Sequence, residues 1–245
     1  MSRHPLTPED LWSVPRVGSP EALPDGAGAV VPVTTYALDS DEGQTRLWLV
    51  TPPDPARPLT DPEASATRPA VSPDGRRLAF LREPGGEAQD ASGPQHPDKE
   101  QLYVLPLAGG EAERLTDLPL GVLDARWFPD GRRIAMVAAV YRDALDLAAA
   151  GDRAAAIEKD PVKAHVTEDR VYRYWDRWLT DGQVHHLFVL DTATRDIIDI
   201  TPQSTRWLGL MEITDTFRIA PDGREIAFGA AKSEAPHDPL VFGVF

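Results

Sequence analysis

One nine-residue segment, from Arg170 to Trp178, concentrates side chains that could bind a ligand, because four are aromatic and four are charged. Arg173 and Arg177 lie four residues apart, and a guanidinium group binds a carboxylate through two parallel hydrogen bonds. The aromatic residues that could form an apolar wall beside them are Tyr174, Trp175 and Trp178. The segment therefore predicts a substrate-binding site made of Arg173, Trp175, Arg177 and Trp178. The alternative is ordinary packing of this segment, with the two arginines paired to Asp169 and Asp176.

Serine, histidine and aspartate are all present, so a catalytic triad has to be considered. The chain contains no Gly-x-Ser-x-Gly motif, which forms the nucleophile elbow of α/β-hydrolases. Ser72 precedes a turn proline at a place where two related segments carry Phe128 and Ala220, so we interpret it as structural. The sequence predicts no catalytic residue within these 245 positions.

The histidines do not form a convincing metal site. His185 and His186 are neighbours, but adjacent residues of a strand face opposite sides. His165 and Glu168 could share a helix face, yet no third ligand accompanies them. There is no cysteine, and no glycine-rich phosphate-binding motif is present. We predict neither a metal ion nor a cofactor.

A repeated Pro-Asp-Gly tripeptide indicates the elements that must position any site. It occurs at Pro24, Pro73, Pro129 and Pro221, and the last three copies lie in longer matching segments. Proline sets φ for the first central position of a turn, aspartate tolerates the second, and glycine adopts the left-handed conformation that follows. The flanking residues alternate as strands do, so each copy predicts a β-hairpin.

A second repeat keeps the same register as the first. Short apolar runs begin at Leu47, Leu102 and Leu187, and each leads through a turn to a strand ending in Leu59-Thr60, Leu115-Thr116 or Ile200-Thr201. Leu47 and Leu102 are 55 residues apart. Asp74 and Asp130 are 56 apart. Each unit thus contains four short antiparallel strands, and a tandem repeat of roughly 50 residues is typical of a β-propeller blade.

The predicted fold is all-β, an incomplete β-propeller ring of about four to five four-stranded blades, the fifth starting near Val241. The alternative is an irregular β-sandwich with similar turns by chance. The third interval is longer, and its surplus at 141–180 contains two alanine-rich runs that predict a helical insertion ending at Pro161. The polar segment from Glu83 to Glu100 is predicted to be an exposed loop.

Composition excludes several classes of partner. The chain has 25 Lys and Arg against 39 Asp and Glu, a net charge of −14, which argues against nucleic acid and against anionic membrane surfaces. Its start is not a signal peptide, and no apolar stretch approaches the roughly 18 residues of a membrane helix. We expect a soluble cytoplasmic protein. The 24 prolines, about a tenth of the chain, favour short strands and many turns.

These residues resemble one protein family. The segments that carry the resemblance are Leu6–Trp12, Val17–Pro20, the Ser-Pro-Asp-Gly-Arg-Arg-Leu-Ala-Phe repeat that starts at Ser72, Arg173–Asp176 and His186–Asp191. They are similar to the prolyl oligopeptidase family of serine peptidases, in its acylaminoacyl-peptidase-like branch, over essentially all 245 residues. The first blade departs from the pattern, with Leu23–Gly28 in place of Ser-Pro-Asp-Gly and a basic pair.

The resemblance implies an N-terminal propeller joined to a C-terminal α/β-hydrolase domain with a Ser-Asp-His triad, none of which lies in this chain. It implies hydrolysis of short or N-acylated peptides, with the propeller controlling access and the remaining blades and the hydrolase domain as its partners. Since the chain ends at Phe245 in a strand-like run, we expect an N-terminal piece of a longer polypeptide. The alternative is a non-enzymatic TolB-like propeller that binds a protein or peptide. Self-association into a homo-oligomer is also compatible with either interpretation.

Overall fold

The computed structural model describes residues 5, 7–40, 42–84, 99–162, 164–168, 170–175, 177–210, 213–232 and 240–245. Within these ranges it describes every side chain except those of Glu9, Arg177 and Lys232. The polar segment predicted to be an exposed loop falls mostly at 85–98, outside the described residues. All structural statements below concern the described part of the chain.

Strands dominate the structure and form four larger sheets, which we number as blades 1 to 4. Blade 1 contains β1 (Arg16–Val17), β2 (Glu21–Ala22), β3 (Ala29–Ala37), β4 (Glu42–Val50) and β5 (Arg57–Pro58). Blade 2 contains β6 (Ala66–Val71), β7 (Arg77–Arg82), β8 (Gln101–Pro106) and β9 (Glu113–Arg114). Blade 3 contains β10 (Asp124–Trp127), β11 (Arg133–Tyr141) and, beyond a separate hairpin of β12 (Arg173–Tyr174) and β13 (Arg177–Trp178), β14 (Gln183–Asp191) and β15 (Ile197–Asp199). Blade 4 contains β16 (Phe217–Ile219), β17 (Ile226–Lys232) and β18 (Val241–Val244).

The predicted all-β architecture of antiparallel blades is confirmed. Neighbouring strands of every sheet pair antiparallel, and in blade 1 both β1 and β2 pair with β3. The expectation that a fifth blade starts near Val241 is wrong, because β18 pairs with β17 and is the third strand of blade 4. The described sheets therefore form four blades, and they do not close into a ring.

All four Pro-Asp-Gly turns have the same geometry. Gly26, Gly75, Gly131 and Gly223 have φ values between 64° and 71°. Each glycine N–H donates to the carbonyl three residues before it, at 2.8 to 3.0 Å. The aspartate Oδ1 of each turn accepts the backbone N–H two residues later. The first copy, despite its different sequence, forms the same hairpin between β2 and β3.

The turns of blades 2, 3 and 4 also contact the turn of the preceding blade. A Cβ placed on Gly75 would lie 3.6 Å from Pro24, and one placed on Gly223 would lie 3.5 Å from Pro129. Between blades 2 and 3, the Arg77 guanidinium donates to the carbonyl of Gly131 and lies 4.6 Å from the centre of the Trp127 ring. The turns are therefore local hairpins and contacts between blades at the same time.

The second sequence repeat corresponds to a recurring side-chain hydrogen bond. The hydroxyl oxygens of Thr60, Thr116 and Thr201 accept the backbone N–H groups of Leu47, Leu102 and Leu187, respectively, at 2.9 to 3.0 Å. The residue before each threonine donates its N–H to the carbonyl of the same leucine. This arrangement fixes the last two strands of blades 1, 2 and 3 in one register and confirms the predicted pairing.

The core lies between the blades. Blades 1 and 2 bury a cluster that includes Leu47, Leu78 and Phe80, while the opposite face of β7 contributes Leu81 to the cluster between blades 2 and 3. In the same way β11 presents alternate residues to blade 2 and to blade 4. The middle strands of blades 2 and 3 are apolar on both faces because each of these two sheets is covered by a neighbour on each side.

The described part of the insertion contains one helix, α2 (Leu147–Lys159), capped by the Asp146 carboxylate, which accepts the N–H of Ala149 at 2.8 Å. The predicted start at Tyr141 is wrong, because Tyr141 is the last residue of β11 and pairs with Gln183. Sequence reasoning also missed α1 (Pro8–Ser13), although a Thr7–Asp10 capping box and a proline at its start are typical signals of a helix N-terminus. In the described part of the chain, neither helix has the length and apolarity needed to span a membrane.

We expect the substitution Gly131→Ala to lower the free energy of unfolding by about 1–2 kcal/mol, because a Cβ disfavours the left-handed conformation of this turn. Gly131→Asn should cost clearly less, since asparagine tolerates that conformation. Urea unfolding followed by tryptophan fluorescence measures both variants. Equal losses for the two variants would show that the backbone conformation is not the cause.

Candidate functional site

Because the strands within each blade are antiparallel, the connections between them lie at two opposite edges of the sheets. Turns between first and second strands, and between third and fourth strands, leave from one edge, which we call the turn rim. Connections between second and third strands, and from blade to blade, leave from the other, which we call the loop rim. The long segments at 83–100 and 142–182 both join a second strand to a third, so they start and end at the loop rim. Binding residues concentrate on such variable loops, so the loop rim is the edge to search.

The predicted aromatic and arginine segment forms the β12–β13 hairpin, in which Arg173 pairs with Trp178 and Tyr174 with Arg177. The Trp178 ring is half-buried and stacks on His165, with ring centres 4.3 Å apart. The Arg173 guanidinium lies 5.3 Å from the centre of the same ring. The hairpin thus brings Arg173 and Trp178 together.

Trp175 occupies the tip of this hairpin with a φ of 54° and a side chain that is 78% exposed. It therefore projects outward instead of packing beside Trp178. The side chain of Arg177, together with Asp169 and Asp176, lies outside the described part. The base of the hairpin is fixed to blade 4, since Leu179 belongs to a buried cluster with Trp207.

A second candidate site, which sequence reasoning did not single out, lies where the first strands of the four blades converge. It is a cavity of about 460 Å³ that we call the inner-strand cavity. Its lining residues are Ser19, Pro20, Glu21, Pro32, Arg68, Pro69, Asp124, Arg126, Thr214, Asp215 and Arg218. Six of them are charged, three positive and three negative, and every blade contributes at least one.

Ion pairs in this cavity join different blades. Arg126 of blade 3 donates to the Asp215 carboxylate at 2.6 Å and lies 3.6 Å from the Glu21 carboxylate of blade 1. Arg218 reaches the same Asp215 oxygen at 3.1 Å. Asp215 is thereby shared between two guanidinium groups.

Two carboxyl groups of the cavity are desolvated. Asp124 is 1% exposed and accepts backbone N–H groups from Ala125 at 3.0 Å and Asp215 at 3.1 Å. Burial raises the pKa of Asp124 above its ordinary value, and the Arg126 charge opposes this rise. Burial likewise raises the pKa of Glu21, again against Arg126. Protonation of these two groups is therefore easier than in water.

Backbone strain is also concentrated here. Arg68 has a φ of 51°, at the point where the pairing of β6 with β7 shifts register between Thr67 and Ala70. Asp215 has a φ of 65°. Left-handed conformations of residues other than glycine cost free energy and cluster at binding sites, and β-bulges re-aim side chains next to such sites. Arg68 also lines a second cavity of about 380 Å³ that continues to Lys99 and Gln183 on the loop rim.

The sequence did contain a signal for this site. Arg126 and Arg218 stand three residues before the turn proline of their repeats, and Arg68 and Asp124 stand five residues before theirs. Polar residues two apart in a strand share a face. Charges recurring at these positions of an otherwise apolar repeat therefore indicate a common polar surface.

The remaining candidates do not form a site. The buried His186 has Nδ1 2.6 Å from the Asp199 carboxylate and Nε2 2.9 Å from the Ser204 carbonyl, so it is fully occupied within blade 3. Among the described residues, no group of three or more potential metal ligands is assembled. Ser72 is buried, and its hydroxyl donates to Asp74 inside its own turn.

A larger cavity of about 590 Å³ opens on the loop rim between blades 1 and 2. The carboxylates that line it are Glu42, Glu63, Glu83 and Glu100. Two of them, Glu83 and Glu100, are close in sequence to residues 85–98, which lie outside the described part of the chain.

We expect the substitution Arg126→Gln to raise the pKa values of Glu21 and Asp124 further, since the Arg126 charge is the largest influence that lowers each of them. Acids with raised pKa values bind protons more tightly in the folded state. The substitution should therefore lower the free energy of unfolding, relative to the unsubstituted protein, by less at about pH 5 than at neutral pH. Carboxyl ¹³C NMR titration measures both pKa values.

The matched control for this titration is Arg132→Gln, because Arg132 pairs with Asp191 at 2.6 Å on the turn rim and lowers its pKa. This variant should raise the pKa of Asp191 and leave those of Glu21 and Asp124 unchanged. If Arg126→Gln also left Glu21 and Asp124 unchanged, the proposed electrostatic coupling in the cavity would be wrong.

Comparison with known proteins gives relatives that are peptidases, while no protein-family model matches. The chain is 27% identical over 243 residues to the uncharacterized peptidase YuxL of Bacillus subtilis, covering 96% of this chain and 33% of YuxL. It is also 27% identical over 234 residues to dipeptidyl-peptidase 5 of Porphyromonas endodontalis, covering 93% of this chain and 31% of that relative. The chain thus spans about a third of the length of these relatives.

Solved structures share the fold at lower identity. Acylaminoacyl peptidase of Pyrococcus horikoshii superimposes with a TM-score of 0.62 at 14% identity, over 96% of this chain and 32% of that one. The β-propeller domain of the Trilobed protease from Pyrococcus furiosus gives a TM-score of 0.50 at 13% identity, over 94% of this chain and 53% of that one. The sequence comparison and the fold comparison both lead to peptidases. Over nearly its whole length, this chain is similar in sequence to part of these peptidases, and it shares the fold of acylaminoacyl peptidase and of the β-propeller domain of the Trilobed protease.

Proposed function

We propose that this chain is the propeller portion of a serine peptidase that hydrolyses short or N-acylated peptides, and that it controls access to catalytic residues outside it. The observation that carries the proposal is the alignment of almost the entire chain with peptidases about three times its length. The absence of a nucleophile elbow from the sequence is consistent with chemistry located elsewhere.

The size of the central space supports selection by size. Cavities of about 460 and 380 Å³ share Arg68 and lead from the loop rim between the first strands. Volumes of this order hold small ligands, whereas a folded domain of 100 residues has a radius of gyration of about 13 Å. Because turn contacts and ion pairs join neighbouring blades, widening this space means breaking them.

The β12–β13 hairpin supplies a surface that meets an arriving peptide. Trp175 is exposed at its tip, and the Arg173 guanidinium is held over Trp178 on the same edge as the other long loops. In this proposal Trp175 and Trp178 contact apolar side chains, while Arg173 and Arg177 hold a terminal carboxylate. A guanidinium stacked on an aromatic ring keeps its edge free for this purpose.

The full-length protein tests the proposal directly. It should hydrolyse N-acetylated peptides of a few residues, leave folded proteins intact, and be labelled by a fluorophosphonate that reacts with activated serines. Absence of both hydrolysis and labelling, together with saturable binding of a peptide or protein, would instead support a non-enzymatic propeller module.

We expect Arg173→Ala in the full-length protein to raise KM about fivefold to tenfold for peptides with a free C-terminal carboxylate, with kcat unchanged. The reason is the loss of one solvent-exposed charge contact, about 1 kcal/mol. Peptide amides should be unaffected, and Arg170→Ala, the same charge change at an exposed position nearby, should have little effect. An unchanged KM for the free acids would remove Arg173 from the site.

A further inference from the structure

We propose that the inner-strand cavity is a carboxylate-binding site in which Arg126 and Arg218 hold the carboxylate of a peptide on its way to the catalytic residues. That the bound molecule is a peptide rests on the proposed function. That the cavity takes an anion rests on the cavity itself.

Hydrogen-bonding capacity in the cavity is unequal between donors and acceptors. The Nε of Arg126 is buried and has no acceptor within hydrogen-bond distance, and its Nη1 is 3.6 Å from Glu21, beyond a normal hydrogen bond. Arg218 uses Nη1 for both Asp215 and the Phe217 carbonyl, and its side chain is 65% exposed. The buried Nε of Arg126 is closed to a ligand, so the donors available to one are the Nη1 group of Arg126 and the exposed guanidinium of Arg218.

The carboxylates of the cavity are, by contrast, already engaged. Asp215 accepts from two guanidinium groups, and Asp124 accepts two backbone N–H groups. Burial also favours the neutral forms of Asp124 and Glu21, which shifts the balance of charge toward the three arginines. Spare donors and reduced negative charge favour an anion over a cation.

A carboxylate fits this balance better than a dianion. The three arginines face three acids, so a single added negative charge is matched more closely than two. A planar guanidinium edge binds a planar carboxylate with two parallel hydrogen bonds. The strained backbone at Arg68 and Asp215 indicates that the charged groups are held in place before a ligand arrives.

Direct binding to the full-length protein tests the site independently of catalysis. The probes are N-acetyl-alanyl-alanine and its C-terminal amide, with acetate as a non-peptide carboxylate, measured by calorimetry. The free acid should bind at least tenfold more tightly than the amide. Acetate should compete with it, which identifies the carboxylate as the recognised group. Equal affinity for acid and amide would overturn the proposal.

Substitution then locates the binding. Arg218→Gln should weaken binding of the acid at least fivefold, and Arg218→Lys should restore part of the loss, since it keeps the charge without the guanidinium edge. Arg224→Gln is the matched control, with the same charge change at an exposed turn position of the same blade, and should bind normally. If Arg173→Ala abolished binding of the acid and Arg218→Gln did not, the carboxylate site would be the hairpin and our proposal would be wrong.

The outcomes separate the two proposals. Selective binding of the acid by a protein that hydrolyses no peptide would support the carboxylate site and reject the peptidase function. Hydrolysis of short peptides without any preference for the free acid would do the opposite.

Discussion

The left-handed glycine of the Pro-Asp-Gly turn is the constraint on which the rest of the structure depends. It allows a tight reversal between the first two strands of each blade, because glycine adopts this conformation without strain. In blades 2 to 4 the same turn also packs at ordinary van der Waals distance on the turn proline of the preceding blade, so the hairpin and a contact between blades share one turn. The threonine hydrogen bonds then fix the outer strands relative to that hairpin.

The charged cavity follows from this regularity. Since the turns hold the first strands at a common height, residues at equal distances before each turn proline arrive at the same level in neighbouring blades. Arg126 and Arg218 occupy one such position, and Asp124 occupies another. A charged surface is thereby assembled from residues more than 90 positions apart in the sequence.

Local rules made the blades predictable, and their limits explain what was missed. Turn chemistry and strand register repeat within each unit, so Gly131 or Thr116 could be assigned from the sequence alone. The start of α2 could not, because the apolar run through Tyr141 satisfies a strand paired with β14 as well as a helix. The bulge at Arg68 could not be predicted from the sequence either, because it depends on the register of β6 against β7. Pairing across blades, as between Arg126 and Glu21, is a tertiary property that no spacing encodes.

The opposite placement of the two rims has a consequence for how such a protein diversifies. Lengthening a connection on the loop rim, as between β11 and β14, leaves the turns on the far edge untouched. New side chains can therefore be introduced on the loop rim without disturbing the turns, and proteins that share the blades are free to differ in these connections. The geometry of the blades and the chemistry of the loop rim can thus change independently of each other.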